Sequence, residues 1–190
     1  WNKCKLETVS YGHGITTTPL QAASAYASIS NGGIVVNPTL VKNKNINSTS
    51  KRIVSLKTSK NINSMLREVV MSTNGTASLA EVNGYYVGGK TGTANKNING
   101  EYTSKKLTSF ISVFPTNNPK YLLLTLIDEP KPAPELVYNY RGKKISGIYR
   151  NESGWNSAYV AGKIIEKIGP ILAINKNDFY DNYVVKKSDW

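Results

Sequence analysis

The sequence predicts a mixed α/β chain of the α+β kind, an antiparallel sheet flanked by helices. Three observations predict it. Between Tyr85 and Ile127, three strand-like runs follow one another, parted by tight-turn signals at Asn99-Gly100 and Pro115-Thr-Asn-Asn-Pro119. Ahead of them, apolar residues at Ile62, Met65, Leu66, Val69 and Val70 recur at helical spacing. Behind them, Val160, Ala161, Ile164, Ile165 and Ile168 do the same. No internal repeat and no shift in composition divides the chain.

The elements follow in order. Thr18-Pro19-Leu20-Gln21 carries a capping Thr, Pro at the first helical position and Gln three residues after the Thr, so a helix starts there. It ends at Gly32-Gly33. Its small residues, Ala22, Ala23, Ala25 and Ala27 with Tyr26 and Ile29, predict a buried helix packed closely on several sides. The second helix breaks near Asn74-Gly75, and its periodic residues are expected to be core. A strand is predicted over Tyr85–Thr93 after a turn at Asn83-Gly84, then a polar hairpin arm from Asn95 to Lys106 with Asn99-Gly100 at its tip. Leu107–Phe114, alternating apolar and hydroxyl-bearing residues, is the second strand, and Tyr121–Ile127 the third. Asp128–Glu135, with Pro130, Pro132 and Pro134, reads as an extended connection. Leu136–Trp155 reads as a polar, weakly patterned excursion. A last helix is predicted from about Ser157 to Leu172, closed by Pro170, and Asn175–Trp190 as a tail.

Composition narrows the function classes. With 190 residues, 39% of them hydrophobic, the chain suffices for one ordinary core. Its longest apolar stretch, Tyr121–Ile127, falls far short of the roughly 20 residues a spanning helix needs. A single cysteine, Cys4, excludes a disulfide framework or a multi-cysteine metal site. The net charge of +12 comes from basic residues clustered no further than pairs such as Lys105-Lys106, Lys143-Lys144 and Lys186-Lys187. No nucleic-acid partner is therefore expected. The first residue is Trp1 rather than Met, so the sequence is expected to be a piece of a longer chain.

Lys90-Thr91-Gly92-Thr93 is the segment whose residue types suit chemistry. Lys90 supplies a compact positive charge, and Thr91 and Thr93 supply hydroxyl donors for a carboxylate. Gly92 lacks the side chain that would hold a ligand backbone away. An extended ligand could add to the strand edge through main-chain hydrogen bonds. The Thr93 N–H could also face a developing oxyanion.

Around this segment the sequence resembles the class B penicillin-binding proteins, most closely their division-associated branch. The resembling blocks are Ser10-Tyr-Gly-His-Gly-Ile-Thr-Thr-Thr-Pro-Leu-Gln21, Ala25-Tyr-Ala with Ser30-Asn-Gly-Gly33, and Gly84-Tyr-Tyr-Val-Gly-Gly-Lys-Thr-Gly-Thr-Ala94. Ser109-Phe-Ile-Ser-Val-Phe-Pro115, Asn118-Pro119 and Ile127-Asp-Glu-Pro130 continue them, so that ordered blocks cover most of residues 8 to 172. The K-T-G triplet is a known signature of this group.

The resemblance implies a penicillin-binding transpeptidase fold, related to the serine β-lactamases and here incomplete. Residues 1–174 would be the C-terminal part of that domain, and 175–190 a tail. It implies a peptidoglycan D,D-transpeptidase in which a serine attacks a D-Ala-D-Ala stem peptide. The acyl-enzyme is then resolved by an amine, and β-lactams occupy the same cleft. Lys90 would help hold the catalytic hydrogen-bond network. Thr91 and Thr93 would bind the carboxylate, and the Thr93 N–H would be half of the oxyanion hole. Catalytic roles thus fall on Lys90 and Thr93, and substrate binding on Lys90, Thr91, Gly92 and Thr93. No cofactor and no metal are implied. The parent protein would sit in the bacterial inner membrane with its catalytic domain facing the periplasm, among division and cell-wall synthesis proteins. A non-catalytic penicillin-recognising module of the same fold is the alternative.

The catalytic serine is expected upstream of Trp1, leaving this chain alone inactive. Ser48-Thr-Ser-Lys51 matches S-x-x-K by letters but lies in an Asn/Ser/Lys-rich stretch without an apolar helix, and is read as a decoy. Ser72-Thr73-Asn74 matches S-x-N at the end of a helix and is read likewise. His13, the only histidine, has no carboxylate to orient it. Cys4 has no support as a nucleophile. Asp128-Glu129 is read as solvated surface, with side chains pointing apart. Leu136–Trp155 departs from the family's quick return to the last helix.

Overall fold

A computed structural model describes residues 5–10, 12, 14–41 and 51–172 of the chain. Cys4, His13, Ser48 and the predicted tail lie outside the described residues. The elements are α1 (Lys5–Ser10), α2 (Pro19–Ser30), α3 (Leu56–Met71), β1 (Gly88–Ile98), β2 (Glu101–Phe114), β3 (Tyr121–Asp128), β4 (Tyr138–Tyr140), β5 (Lys143–Ile145) and α4 (Ser157–Ile168). Short 3-10 turns occupy Ser78–Ala80 and Ser153–Trp155.

β1, β2 and β3 form one antiparallel sheet in that order, and β4 and β5 a separate two-stranded ribbon. The expected hairpin arm is a continuation of β1 and β2. Asn99 and Gly100 turn it with φ of 53° and 91°, the two positive values a two-residue hairpin turn needs. The register shifts between Asn95 and Asn97, where Lys96 alone faces Thr103–Lys105, so β2 carries the bulge. The first strand starts later than predicted, at Gly88, because Tyr86 has φ 46° and leaves the extended region. The Tyr86 carbonyl accepts both the N–H and the hydroxyl of Thr116, at 3.0 and 3.1 Å.

The core lies between the sheet and α4. Val70, Ala77, Ala80, Tyr85, Val87, Phe110, Phe114, Ala158, Ala161 and Ile165 are all buried there. The α4 stripe is Ala158, Ala161, Gly162 and Ile165; Val160, expected inside, is exposed. A Cβ on Gly162 would lie 2.8 Å from the Leu79 carbonyl oxygen, so its missing side chain sets the close approach of α4 to the Ser78–Ala80 turn. In β2 the hydroxyl-bearing residues are not the outward face: Thr108 and Ser112 are as buried as Phe110. They are satisfied internally, since Thr108 Oγ1 lies 2.8 Å from both Asn156 Oδ1 and Ser157 Oγ, and Ser112 Oγ donates to the Leu123 carbonyl. Thr125 Oγ1 adds a bond to the Ser157 carbonyl, so hydroxyls pin the start of α4 to the sheet.

On the other elements the sequence reading needs three corrections. α2 begins as expected, with the Thr18 and Gln21 side chains each accepting the other residue's backbone N–H. It is only half-buried, however: Ser28 and Ser30 are its buried residues, while Ala25 and Leu20 are exposed. It packs on α3, β2 and β3, and its Ser24 and Ser28 hydroxyls bond the backbone of Val36. α3 starts at Leu56, capped by Ser55, and buries Ser59, Asn63, Leu66 and Val70; Met65 is exposed. The buried stripe is polar at its start because Ser59 and Asn63 donate to the Ser30 carbonyl at the end of α2. The last helix ends at Ile168, just before Pro170.

Candidate functional site

β1 is an outer strand of its sheet, paired on one side with β2, so its other edge carries outward-facing backbone groups. Lys90, Thr91, Gly92 and Thr93 sit on it opposite Ile111, Phe110, Ser109 and Thr108. The glycines before them explain how the strand is seated. A Cβ on Gly88 would lie 2.8 Å from the backbone of α3 at Leu66 and Arg67. One on Gly89 would lie 2.3 Å from the Ile111 carbonyl oxygen. Two successive glycines therefore let one strand approach a helix on one side and β2 and the Phe110 ring on the other.

Alternation puts Lys90 and Gly92 on one face of β1 and Thr91 and Thr93 on the opposite one. Lys90 is exposed, and its ammonium donates to the Thr91 carbonyl at 2.7 Å. Gly92 has an internal reason to be glycine, because its Cβ would come within 2.5 Å of Ser109 Oγ. Thr91 Oγ1 is 3.0 Å from Thr76 Oγ1. Thr93 is exposed, and its Oγ1 accepts the Ser153 N–H at 3.1 Å. Two hydroxyls thus share one face at an open strand edge, with a cation on the strand beside them.

Thr76 and Ser153 escaped sequence reasoning. Nothing in the chain marks them, because they reach the strand from 15 and 60 residues away through the fold. The excursion that carries Ser153 is ordered by a missed hairpin: Arg141 and Gly142 turn β4 into β5 with φ of 54° and 77°. That Arg-Gly pair between Tyr138-Asn-Tyr140 and Lys143-Lys-Ile145 is the signal available to find it. Tyr140 stacks on Trp155 at 5.3 Å, and Tyr138 meets Trp155 and Tyr159 edge-on. These rings fasten the ribbon to the 3-10 turn and α4.

The remaining sequence candidates fall elsewhere. Ser72 is the C-cap of α3, and its hydroxyl accepts the Asn74 N–H at 3.3 Å, as a helix-ending turn requires. Asp128 and Glu129 are surface residues but do not point apart: both carboxylates meet Lys96, at 3.0 and 2.9 Å. Positive φ at Glu129, 49°, swings its side chain onto the side of its neighbour. The Lys96 and Lys105 ammoniums hold the Glu129 carboxyl below the usual range. Among the described residues no helix is long and apolar enough to cross a membrane.

Comparison with known proteins agrees with this fold. Residues 1–151 match the penicillin binding protein transpeptidase domain. A peptidoglycan D,D-transpeptidase FtsI homolog of Mesostigma viride is 39% identical over 163 residues, 73% of this chain and 27% of that protein. The transpeptidase domain of Burkholderia pseudomallei penicillin-binding protein 3 superposes with a TM-score of 0.75 at 29% identity, covering 93% of this chain and 49% of that one. Mycobacterium tuberculosis penicillin-binding protein 3 in complex with ampicillin gives a TM-score of 0.70 at 25% identity, over 89% and 39% of the two chains. The chain thus spans about a quarter of that curated relative and half or less of these two structures. With its antiparallel sheet, its flanking helices and Lys-Thr-Gly-Thr on the open edge, the chain belongs to the penicillin-binding protein transpeptidase domain family.

Proposed function

We propose that this chain is the C-terminal part of a peptidoglycan D,D-transpeptidase and forms one wall of its active site. The observation that carries the reading is the open edge of β1, with Lys90, Thr91 and Thr93 placed along it. A stem peptide ending in D-Ala-D-Ala would lie along that edge as an added strand, its terminal carboxylate between the two threonine hydroxyls. A serine from the preceding part of the protein attacks the penultimate D-Ala carbonyl carbon. The C–N bond to the terminal D-Ala breaks, and that D-Ala departs with the serine proton on its amine. An amine of a neighbouring strand then attacks the ester, the new amide forms, and the serine regains its proton. The Thr93 N–H, with that of the serine, stabilises both tetrahedral intermediates, and Lys90 supports the proton-transferring network.

β-Lactams would enter the same cleft, as the ampicillin complex of the mycobacterial relative indicates for that protein. The relatives' names further support a setting in peptidoglycan synthesis; the intact protein would work among division proteins, anchored in the inner membrane with this domain in the periplasm. The test is covalent labelling of the intact protein by a fluorescent penicillin, followed by peptide mapping. The expected adduct lies on a serine outside these 190 residues. Replacing Thr93 by valine should slow labelling about tenfold, the loss of roughly one charge-assisted hydrogen bond. No adduct at all, or one on Ser48, would overturn the reading.

A further inference from the structure

The Ser153–Trp155 turn backs both threonines of the strand. Ser153 is buried, and its backbone N–H donates to Thr93 Oγ1 at 3.1 Å while its own hydroxyl donates to the Ser109 carbonyl at 2.5 Å. Next to it, a Cβ on Gly154 would lie 2.2 Å from the Thr76 carbonyl oxygen, so the turn sits directly against the residue whose hydroxyl meets Thr91. The segment is clamped from the sheet side. Lys106 Nζ donates to Asn151 Oδ1 at 2.6 Å and to Glu152 Oε1 at 3.2 Å, and Asn156 donates to the Asn151 carbonyl at 2.9 Å. Arg150 reaches the other oxygen of Glu152.

A threonine hydroxyl has one proton to give and lone pairs to accept with. With the Ser153 N–H on a lone pair of Thr93 Oγ1, the hydroxyl proton finds no acceptor among the described residues and is left to donate outward. An anion at the strand edge is the group that would take it. Without that N–H, the hydroxyl can turn and spend its proton elsewhere.

We propose that Ser153 is a positioning residue for Thr93: its N–H, held in place by the Ser109 and Lys106 contacts, fixes the polarity of the Thr93 hydroxyl toward a ligand carboxylate. The proposal rests on the carboxylate-binding reading of Thr93. It gives the excursion Leu136–Trp155 a task at the site, since β4, β5 and the ring stack hold the turn from behind. Preorganisation of this kind removes reorientation from the cost of binding.

The experiment is a pair of double-mutant cycles in the intact protein, read as the second-order rate of labelling by a fluorescent penicillin. Ser153→Ala removes the hydroxyl anchor of the turn, and Lys106→Met removes its clamp. Each is made with Thr93 and with Thr93→Val, and melting temperatures identify any variant that fails to fold. Each change is expected to slow labelling about fivefold to tenfold with Thr93 present, and less than about twofold with valine there. Lys106→Arg, which keeps the cation, should recover most of the rate. Equal losses in both backgrounds would show a general structural role and overturn the proposal while leaving the transpeptidase reading intact. Failure of the unmutated protein to label overturns the reading itself, and this proposal with it.

Discussion

Replacing Gly89 by alanine tests how closely β1 is seated, because the new methyl meets groups that cannot turn aside. It would lie 2.3 Å from the Ile111 carbonyl oxygen, 2.5 Å from Phe110 Cζ and 2.8 Å from Phe110 Cε2. The oxygen is β2 backbone and the ring is fully buried, so relief requires β1 and β2 to part by about 1 Å over their ordinary spacing of about 4.8 Å. Overpacking costs about 1–3 kcal/mol. A weakened ladder hydrogen bond adds about 1 kcal/mol. The stiffer unfolded chain returns about 0.4–1 kcal/mol. The net loss is then about 1–3.5 kcal/mol, taking the three terms together. Gly92→Ala is the internal control. Its methyl meets Ser109 Oγ at 2.5 Å, but the next atoms are 3.9 Å away, and a hydroxyl can rotate. That variant should lose less than about 1 kcal/mol. Urea denaturation of the intact protein reads both as shifts of midpoint at constant slope. A Gly89→Ala midpoint equal to that of the unmutated protein, or a loss in Gly92→Ala as large as in Gly89→Ala, would refute the packing argument.

Two further outcomes can be measured on the same protein. Thr18→Ala removes the oxygen that accepts the Gln21 N–H at 3.1 Å and should cost about 1 kcal/mol in the same denaturation assay, with no cost contradicting the capping assignment. Glu152 is subject to burial that disfavours its charge, yet hydrogen bonds from its own backbone, Lys106 and Arg150 outweigh it and lower its pKa. A carboxyl with a lowered folded pKa stabilises the fold above its ordinary pKa of about 4.3 and loses that contribution as pH falls through the folded value. The stability difference between the unmutated protein and Glu152→Gln should therefore shrink on acidification from about pH 7 to about pH 3. A difference that widens would show the sign to be wrong.

The parts of the fold that sequence reading located are those with local causes. The Thr18-Pro19-Gln21 cap, the Asn99-Gly100 tip and the three strands of the sheet each follow from residues within a few positions of one another. The errors of burial come from contacts between distant segments. Thr108 and Ser112 are polar by type, yet the start of α4 and the β3 backbone supply partners that make their burial tolerable. Asn63 and Ser59 likewise enter the α3 stripe because the Ser30 carbonyl waits there. Lys90, Thr91, Gly92 and Thr93 were legible as a motif, while the groups that orient them were not. Ser153 acts through a backbone N–H, which leaves no residue-type signature, and Thr76 through an ordinary hydroxyl that only the fold brings to Thr91.

An outer strand of eleven residues exposes backbone groups to any passing chain, and β1 handles its two halves differently. Its far half pairs with the bulged stretch Thr103–Lys105 of β2, where Lys96, Lys105, Asp128 and Glu129 gather charge on the sheet. Bulges and charged side chains are the ordinary protections of an edge. Its near half, Gly88 to Ala94, has neither a bulge nor an ion pair among the described residues, and pairs in register with β2 throughout. There the strand is glycine-rich and carries hydroxyls beside the one exposed charge of Lys90. An edge free of bulges and ion pairs along Lys90, Thr91 and Thr93 is what a strand needs if another backbone is to pair with it at those residues.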